Sequence, residues 1–524
     1  MPYDGSGVAP GRTFGWARRY GPVITTSRSL VEKIISLKPG DKVFVLALIS
    51  GVGLRLISAV LGDIDPGGDG MWRMAYAVWW AERPRWQGLT GVWPPLHWYF
   101  LGSLTFLWNQ PIVLAKIVNF ICGVASVWVF RAAVRRCFGE SIANLSALLL
   151  AINWTHIWLT SSYWVEPPYL LLIFLATLFS FKAHESKSVV DALLSGVFLC
   201  LAILLRHEAM LILGLFLLWS LIRLREPKLI LGFALIPLCV AAWNFIEPWM
   251  NGKSYFDYCL TVTNMKAGEN AALGITRLDG VKQWVMMPAA VPSVFVVIPG
   301  FYGLWRLRSK AFTTDLFAWM FFSQTVLYAT MTLLFSWRPQ LRYMMLWFVN
   351  LLPYAGRGWL DIARRFSMKR ALSALVIATV LSQSILWWAG RNRWMPRGWL
   401  PLRVANPSQE ALDKWININK DRLPYKKIVS LVGTNSLTEP WSLTHSFLVN
   451  HILASPIKHE EINVGYRLEV LRGEIPPEAH QADVVILDPE ADYYSAARKI
   501  LESKSSNWTS AQLSARVVIL SKLK

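Results

Sequence analysis

The stretch LGDIDPGGDGMWR, residues 61–73, gathers Asp63, Asp65 and Asp69 among glycines and a proline and closes on Arg73. Three further clusters set charge against apolar sequence. In SSYWVEPP, Glu166 opens an apolar run; in LLRHEAM, Arg206, His207 and Glu208 interrupt two such runs; SWRPQLRYMML carries Arg338, Arg342 and Tyr343. Ionisable groups at membrane depth are costly, so their positions are informative. A carboxylate there can act as general base on a hydroxyl. Arginines can hold a departing phosphate through bidentate, charge-assisted hydrogen bonds. A sugar carried on a membrane-embedded polyprenyl phosphate would need both groups at one level.

Each cluster also has a plainer use. Asp63 and Asp65 suit a turn in a solvated loop, and Asp69, ahead of the helical-looking GMWRMAYAVWWAERP, suits an N-cap. Glu166 before two prolines suits a helix start, where the macrodipole favours a carboxylate. Arg206 with Glu208 fits a structural intramembrane pair, and Arg338 and Arg342 fit interfacial snorkels. What ties the clusters together is sidedness, which requires the elements that carry them.

Of the 524 residues, 54% are hydrophobic and 16% charged. Soluble domains carry about 25% charged residues, so this chain cannot cover a water-facing surface of its size. Apolar runs recur near 43–61, 92–108, 111–130, 142–158, 165–181, 189–206, 209–224, 228–246, 284–304, 312–335, 341–357 and 371–389. Their lengths of roughly 17–22 residues match a bilayer core. The net charge of +20 falls largely in short loops between runs, RAAVRRCFG, KAHESK, IRLREPK, RLRSK and RGWLDIARRFSMKR among them. That is the positive-inside pattern, not a nucleic-acid footprint.

If every run spans, RAAVRRCFG lands on the wrong side. If 92–108, VWPPLHWYFLGSLTFLW, only dips into the outer leaflet, all five basic loops fall inside; its paired prolines, His97 and aromatics suit a re-entrant or interfacial helix. The expectation is a polytopic α-helical membrane protein of roughly 11–13 transmembrane helices. A cytoplasmic tail spans 1–40, a membrane domain 41–390, with external loops at 62–91 and 247–283. All four charged clusters then lie on one face. The five cysteines form no CxxC pair and the eight histidines no HExxH spacing, so neither a zinc site nor a disulfide framework is expected from these residues, and no cofactor is expected.

After a Pro-rich linker near 392, residues 391–524 change character. KKIVSLVG (426–433), ADVVILDP (482–489) and ARVVILSK (515–522) read as short buried strands, and EADYYSAARKILESK (490–504) as an amphipathic helix. A small external α/β domain follows. It holds no Gly-rich phosphate loop.

Taken in order, the acidic first loop, WPPLHWYFLG, RRCFG, NWTHIWLTSSYWVEPPYLLL, LAILLRHEAMLIL and RPQLRYMMLWFVNLLPYAG resemble bacterial GT-C glycosyltransferases of the protein-mannosyltransferase and aminoarabinose-transferase superfamily. The resemblance runs over most of 40–360. It implies an inverting transferase in the inner membrane that takes a sugar from a polyprenyl-phosphate donor to a glycan, lipid or protein acceptor, with membrane lipids as its other partners. It matches Asp69 and Arg73 to the family's first-loop base and arginine, Pro94–Leu96 to its PPL segment, Glu166 to its second acid and Arg342–Tyr343 to its late Arg-Tyr pair. Gly70 stands where a Glu is common, and Asp63 and Asp65 form a rival acidic pair. Arg73 and Arg342 would hold the donor phosphate with Arg338 or Lys253. His97, Arg206, His207 and Glu208 are further site candidates. The lipid-phosphate-sugar branches generally use no metal. A transporter or flippase of lipid-linked sugars is the rival reading; it calls for inverted repeats and helices broken at the midplane.

Overall fold

The computed structural model describes residues 39–61, 94–108, 111–223, 225–250, 294–308, 315–335 and 341–367, with scattered helical positions within 73–81, 278–284, 370–382 and 414–418 and five strands within 428–521. Helices dominate. They are α1 (Pro39–Leu61), α2 (Leu96–Thr105), α3 (Pro111–Phe138), α4 (Glu140–Ala151), α5 (Trp154–Thr160), α6 (Glu166–Ser186), α7 (Val189–Ile203), α8 (Ala209–Arg223), α9 (Pro227–Met250), α10 (Val294–Arg306), α11 (Leu316–Phe335), α12 (Leu341–Phe348) and, after a 3-10 turn, α13 (Leu352–Phe366).

Among the described residues, four helices (in α1, α3, α6 and α11) are long and apolar enough to cross a bilayer, and α4 with α5 make a fifth if counted as one broken span. The outward faces of these helices are apolar: Val60 is 79% exposed and Val326 65%. Exposed aliphatic surface of that kind suits lipid rather than water. The chain is a polytopic helical membrane protein, as its composition requires.

The run at 92–108 forms only the ten-residue α2. At about 1.5 Å per residue it reaches half-way across a hydrocarbon core of about 30 Å. Gly102 explains how α2 seats: a Cβ there would come within 2.7 Å of the Ala77 carbonyl oxygen and the Trp80 ring, so only glycine permits this approach to the helical residues that follow Arg73.

Two expectations need correction. The run at 142–158 is not one continuous helix: α4 ends at Ala151, and α5 starts at Trp154 after a bend of 61°. Asn153 drives the restart, its Oδ1 accepting from the His156 amide at 2.9 Å as an N-cap. The basic stretch 357–370, expected as a loop, is helical as far as Phe366. Its charges pair within one turn, Arg357 donating to Asp361 at 3.2 Å and Arg364 to the same carboxylate at 3.3 Å. Such spacing supports a helix whose other face, Tyr354, Ala355 and Trp359, is buried.

The bundle core lies where α3, α6 and α11 meet. The rings of Phe130 and Phe174 sit 4.9 Å apart, with Phe317 5.8 Å from Phe130. α3 packs along α6, α6 along α7, α7 along α9, and α1 along α4. At Gly123 a Cβ would fall 2.5 Å from Thr160, so glycine lets α5 lie directly on α3.

The C-terminal region contains a five-stranded mixed sheet: β1 (Ile428–Ser430), β2 (Ile462–Val464), β3 (Val484–Leu487), β4 (Thr509–Ser514) and β5 (Val517–Ser521), in the order β2-β1-β3-β5-β4. β1 runs parallel to β2 and β3; β5 runs antiparallel to β3 and β4, with Val485 opposite Leu520. The three expected strands are present, and Arg498 and Leu501 of the expected helix are helical. β2 is short and β4, TSAQLS, is polar; neither has the apolar run that marks a buried strand.

Candidate active site

Glu166 is the first residue of α6, followed by Pro167 and Pro168, whose fixed φ suits a helix start and whose missing amides are not needed there. Its side chain is wholly buried. Two backbone carbonyls of the preceding turn, those of Ser162 and Trp164, both accept from Asn119 Nδ2 of α3 at 2.7 Å. One buried amide therefore clamps the turn that delivers the carboxylate.

Opposite Glu166, the chain breaks between α7 and α8 at Leu204–Glu208. Arg206 projects from this break. Its Nη1 donates to Glu166 Oε1, while Nε and Nη2 grip both oxygens of Glu208 at 3.2 and 2.6 Å. Burial alone would raise the pKa of the Glu208 carboxyl, but the Arg206 charge and fork overcome it and hold the pKa at about 2. The same break is tied to α2: the Leu96 amide donates to the Leu204 carbonyl at 3.0 Å. The PPL segment is thus fixed two residues from Arg206.

Arg342 enters from the second position of α12. Its Nε lies 3.9 Å from Glu166 Oε1, and its guanidinium stacks 4.9 Å from the rings of both Trp164 and Tyr343. Arg206 lies 4.8 Å from the Tyr343 ring. Tyr343 is therefore shared by two guanidiniums, and its hydroxyl accepts from Arg342 Nη2 at 3.3 Å. Cation–π contacts let two like charges approach in a dry site, where each ring face offsets part of their repulsion.

Five sequence candidates, Glu166, Arg206, Glu208, Arg342 and Tyr343, thus converge from three separate parts of the chain. Arg73 and His97 are both buried, and Arg73 lies near enough for its charge to act on the imidazole. His207 is half-buried in the same turn as Arg206. Asp63, Asp65, Asp69, Lys253 and Arg338 lie outside the described residues.

The charges decide which arginine can serve a ligand. Arg206 is paired with two carboxylates. Arg342 shares one carboxylate at a longer distance and stacks on aromatic rings. Glu166 Oε2 is buried with no hydrogen-bond partner among the described residues. An unsatisfied carboxylate oxygen in such a place costs on the order of 1–3 kcal/mol, so a donor hydrogen from a bound molecule would be favoured there. Sequence reasoning missed Asn119 and Arg55. Arg55 is the one charged residue of the 43–61 run and Asn119 the one carboxamide of the 111–130 run, and that was the available signal.

Residues 92–244 match the family of dolichyl-phosphate-mannose-protein mannosyltransferases. That segment carries α2 through most of α9, including Glu166, Arg206 and Glu208. In three dimensions the chain is similar to ArnT from Cupriavidus metallidurans bound to undecaprenyl phosphate, with a TM-score of 0.58 and 13% identity over 91% of this chain and 98% of that one. It is also similar to the oligosaccharyltransferase of Archaeoglobus fulgidus in complex with zinc and sulfate, with a TM-score of 0.50 and 13% identity over 89% of this chain and 71% of that one. No curated protein matches in sequence. The fold is that of the GT-C class of membrane glycosyltransferases. The likeness in both length and architecture extends over nearly the whole of the ArnT chain.

Proposed function

We propose that this protein is an inverting glycosyltransferase that moves a sugar from a polyprenyl-phosphate donor to an acceptor hydroxyl at the external face of the inner membrane. One observation carries the reading. A buried carboxylate, Glu166, gathers arginines from two distant elements at the ends of apolar helices, in a fold shared with a protein that binds undecaprenyl phosphate.

The donor phosphate sits against Arg342 and Tyr343, with Arg73, Arg338 and Lys253 supplying further charge and His97 beside Arg73. Arg206, already neutralised by Glu166 and Glu208, buttresses this wall. Asp69 takes the proton of the acceptor hydroxyl as its oxygen attacks the anomeric carbon, with Asp63 and Asp65, a few residues earlier in sequence, as its helpers. The bond between the anomeric carbon and the phosphate oxygen breaks, its electron pair leaves on the lipid phosphate, and configuration inverts. Arginine donors stabilise the charge that develops on the leaving phosphate. Glu166 orients the acceptor through its open oxygen. Glycan, lipid and protein acceptors all present the required hydroxyl. The 391–524 domain stands on the same external side. No metal takes part, and chelation with EDTA leaves transfer unchanged.

The test is transfer from a polyprenyl-phosphate-linked sugar in reconstituted membranes. Full activity in Asp69→Asn would remove Asp69 as base; full activity after Asp63 and Asp65 are changed as well would remove the loop-base mechanism.

A further inference from the structure

The first apolar run contains one charge, Arg55, and the structure sets it inside the bundle rather than at either end. It lies within the span Asp41–Val60 and is fully buried. Its Nη1 donates to the Gly51 carbonyl of its own helix at 2.7 Å and to the Ala151 carbonyl at 3.1 Å. Its Nη2 donates to Nδ1 of His156, itself fully buried. A guanidinium can only donate, so Nδ1 accepts and the imidazole is neutral with its proton on Nε2. Arg55 thus bridges the last residue of α4 and the first turn of α5, across the 61° bend.

A bend inside a span frees carbonyls that lipid cannot satisfy. Arg55 supplies a donor to one of them, and its charge faces the negative end of the α4 dipole. The contact also runs the other way: Ser161, just past α5, places its hydroxyl 3.4 Å from the Arg55 carbonyl oxygen. From Ser161 the chain enters the turn that Asn119 clamps and that ends on Glu166. A buried cation is an expensive way to fill space, since an apolar side chain of similar volume commonly does so at no loss of stability.

We infer that Arg55 and His156 form a brace across the α4–α5 bend that sets the height and direction of the 161–165 turn, making Arg55 a positioning residue for Glu166. The brace rests on the proposed function only in taking Glu166, which faces Arg342, as the carboxylate that anchors the lipid-phosphate site.

The test uses the full-length protein in nanodiscs, with three measurements on each variant: amide hydrogen exchange over 152–166, thermal midpoint, and binding of undecaprenyl phosphate. In Arg55→Lys and in His156→Leu, exchange over 152–166 rises about tenfold while that over 189–203 stays as in the parent. Both variants bind undecaprenyl phosphate about tenfold more weakly. His156→Asn, whose amide oxygen stands near the position of Nδ1, retains protection and binding. A purely space-filling role would reverse that order, since leucine fills the site better than asparagine. Should Arg55→Lys fail to fold, the His156 pair carries the test. Unchanged exchange over 152–166 in His156→Leu overturns the brace, as does His156→Asn behaving like His156→Leu. If the segment loosens without loss of binding, Glu166→Gln separates the causes. Weakened binding in Glu166→Gln then overturns the positioning role. Unchanged binding there upholds the brace and overturns the assignment of Glu166 to the lipid site.

Discussion

Arg206 holds Glu166 with one nitrogen and Glu208 with two, so a single guanidinium from the α7–α8 break joins the start of α6 to its own turn. The pairing fixes the proposed division of labour between the arginines. A fork closed on two carboxylates stiffens the site, and Arg342, stacked on Trp164 and Tyr343, is the arginine proposed to meet a phosphate.

Glu166→Gln tests the centre of this network. It removes the charge that faces both arginines and leaves a buried cation less compensated. Breaking such a pair costs about 3 kcal/mol or more. A lower unfolding midpoint in detergent is expected, together with strongly reduced sugar transfer. Stability equal to the parent's would mean that the pairing contributes nothing.

Arg342→Lys keeps the charge and discards the planar fork and the stacking on Trp164 and Tyr343. The expected result is about tenfold weaker binding of undecaprenyl phosphate, as befits the loss of bidentate geometry at a phosphate. The thermal midpoint should move little. Binding as tight as in the parent would place the phosphate elsewhere.

Asn119→Leu removes both donors that hold the Ser162 and Trp164 carbonyls. Leaving those groups unpaired costs on the order of 2 kcal/mol. Faster amide exchange at 161–166, with the far end of α6 unchanged, is the measurement that checks it.

Glu208 gives a pH signature. Its carboxyl is held at about 2, below the ordinary range, so its pairing stabilises the fold fully above that range and the contribution disappears as the pH falls toward 2. The stability gap between the parent and Glu208→Gln should therefore be constant from pH 7 to about 5 and narrow below it. A gap that widens on acidification would contradict the Arg206 pairing.

Asp69→Asn should cut transfer by about 100-fold or more, the usual worth of a positioned general base, with undecaprenyl phosphate binding intact. Loss of binding in parallel would assign Asp69 to the donor site instead.

Much of this protein was legible one residue at a time. Low charge density and repeated apolar runs are properties of composition and order, and a bilayer permits few answers to them, so the apolar helices and the short α2 followed directly. The basic stretches expected as loops at 131–138, 182–186 and 357–366 instead prolong helices. VVIL-type runs marked three strands of the C-terminal sheet because a strand buried on both faces needs no partner to be apolar. The four charged clusters stood out for the same reason, since charge beside lipid is rare enough to be noticed. Only tertiary structure decided how the clusters join. Glu166 and Arg206 are separated by 40 residues, and Arg342 by far more, and nothing in local sequence encodes a contact made across three packed helices. The bend after Ala151 was hidden because, beside the local cap of Asn153, it is held by a donor on another helix: Arg55 satisfies from outside a carbonyl the span itself leaves open. Residue types specify which groups cannot be left unpaired, and packing alone chooses the groups that pair with them.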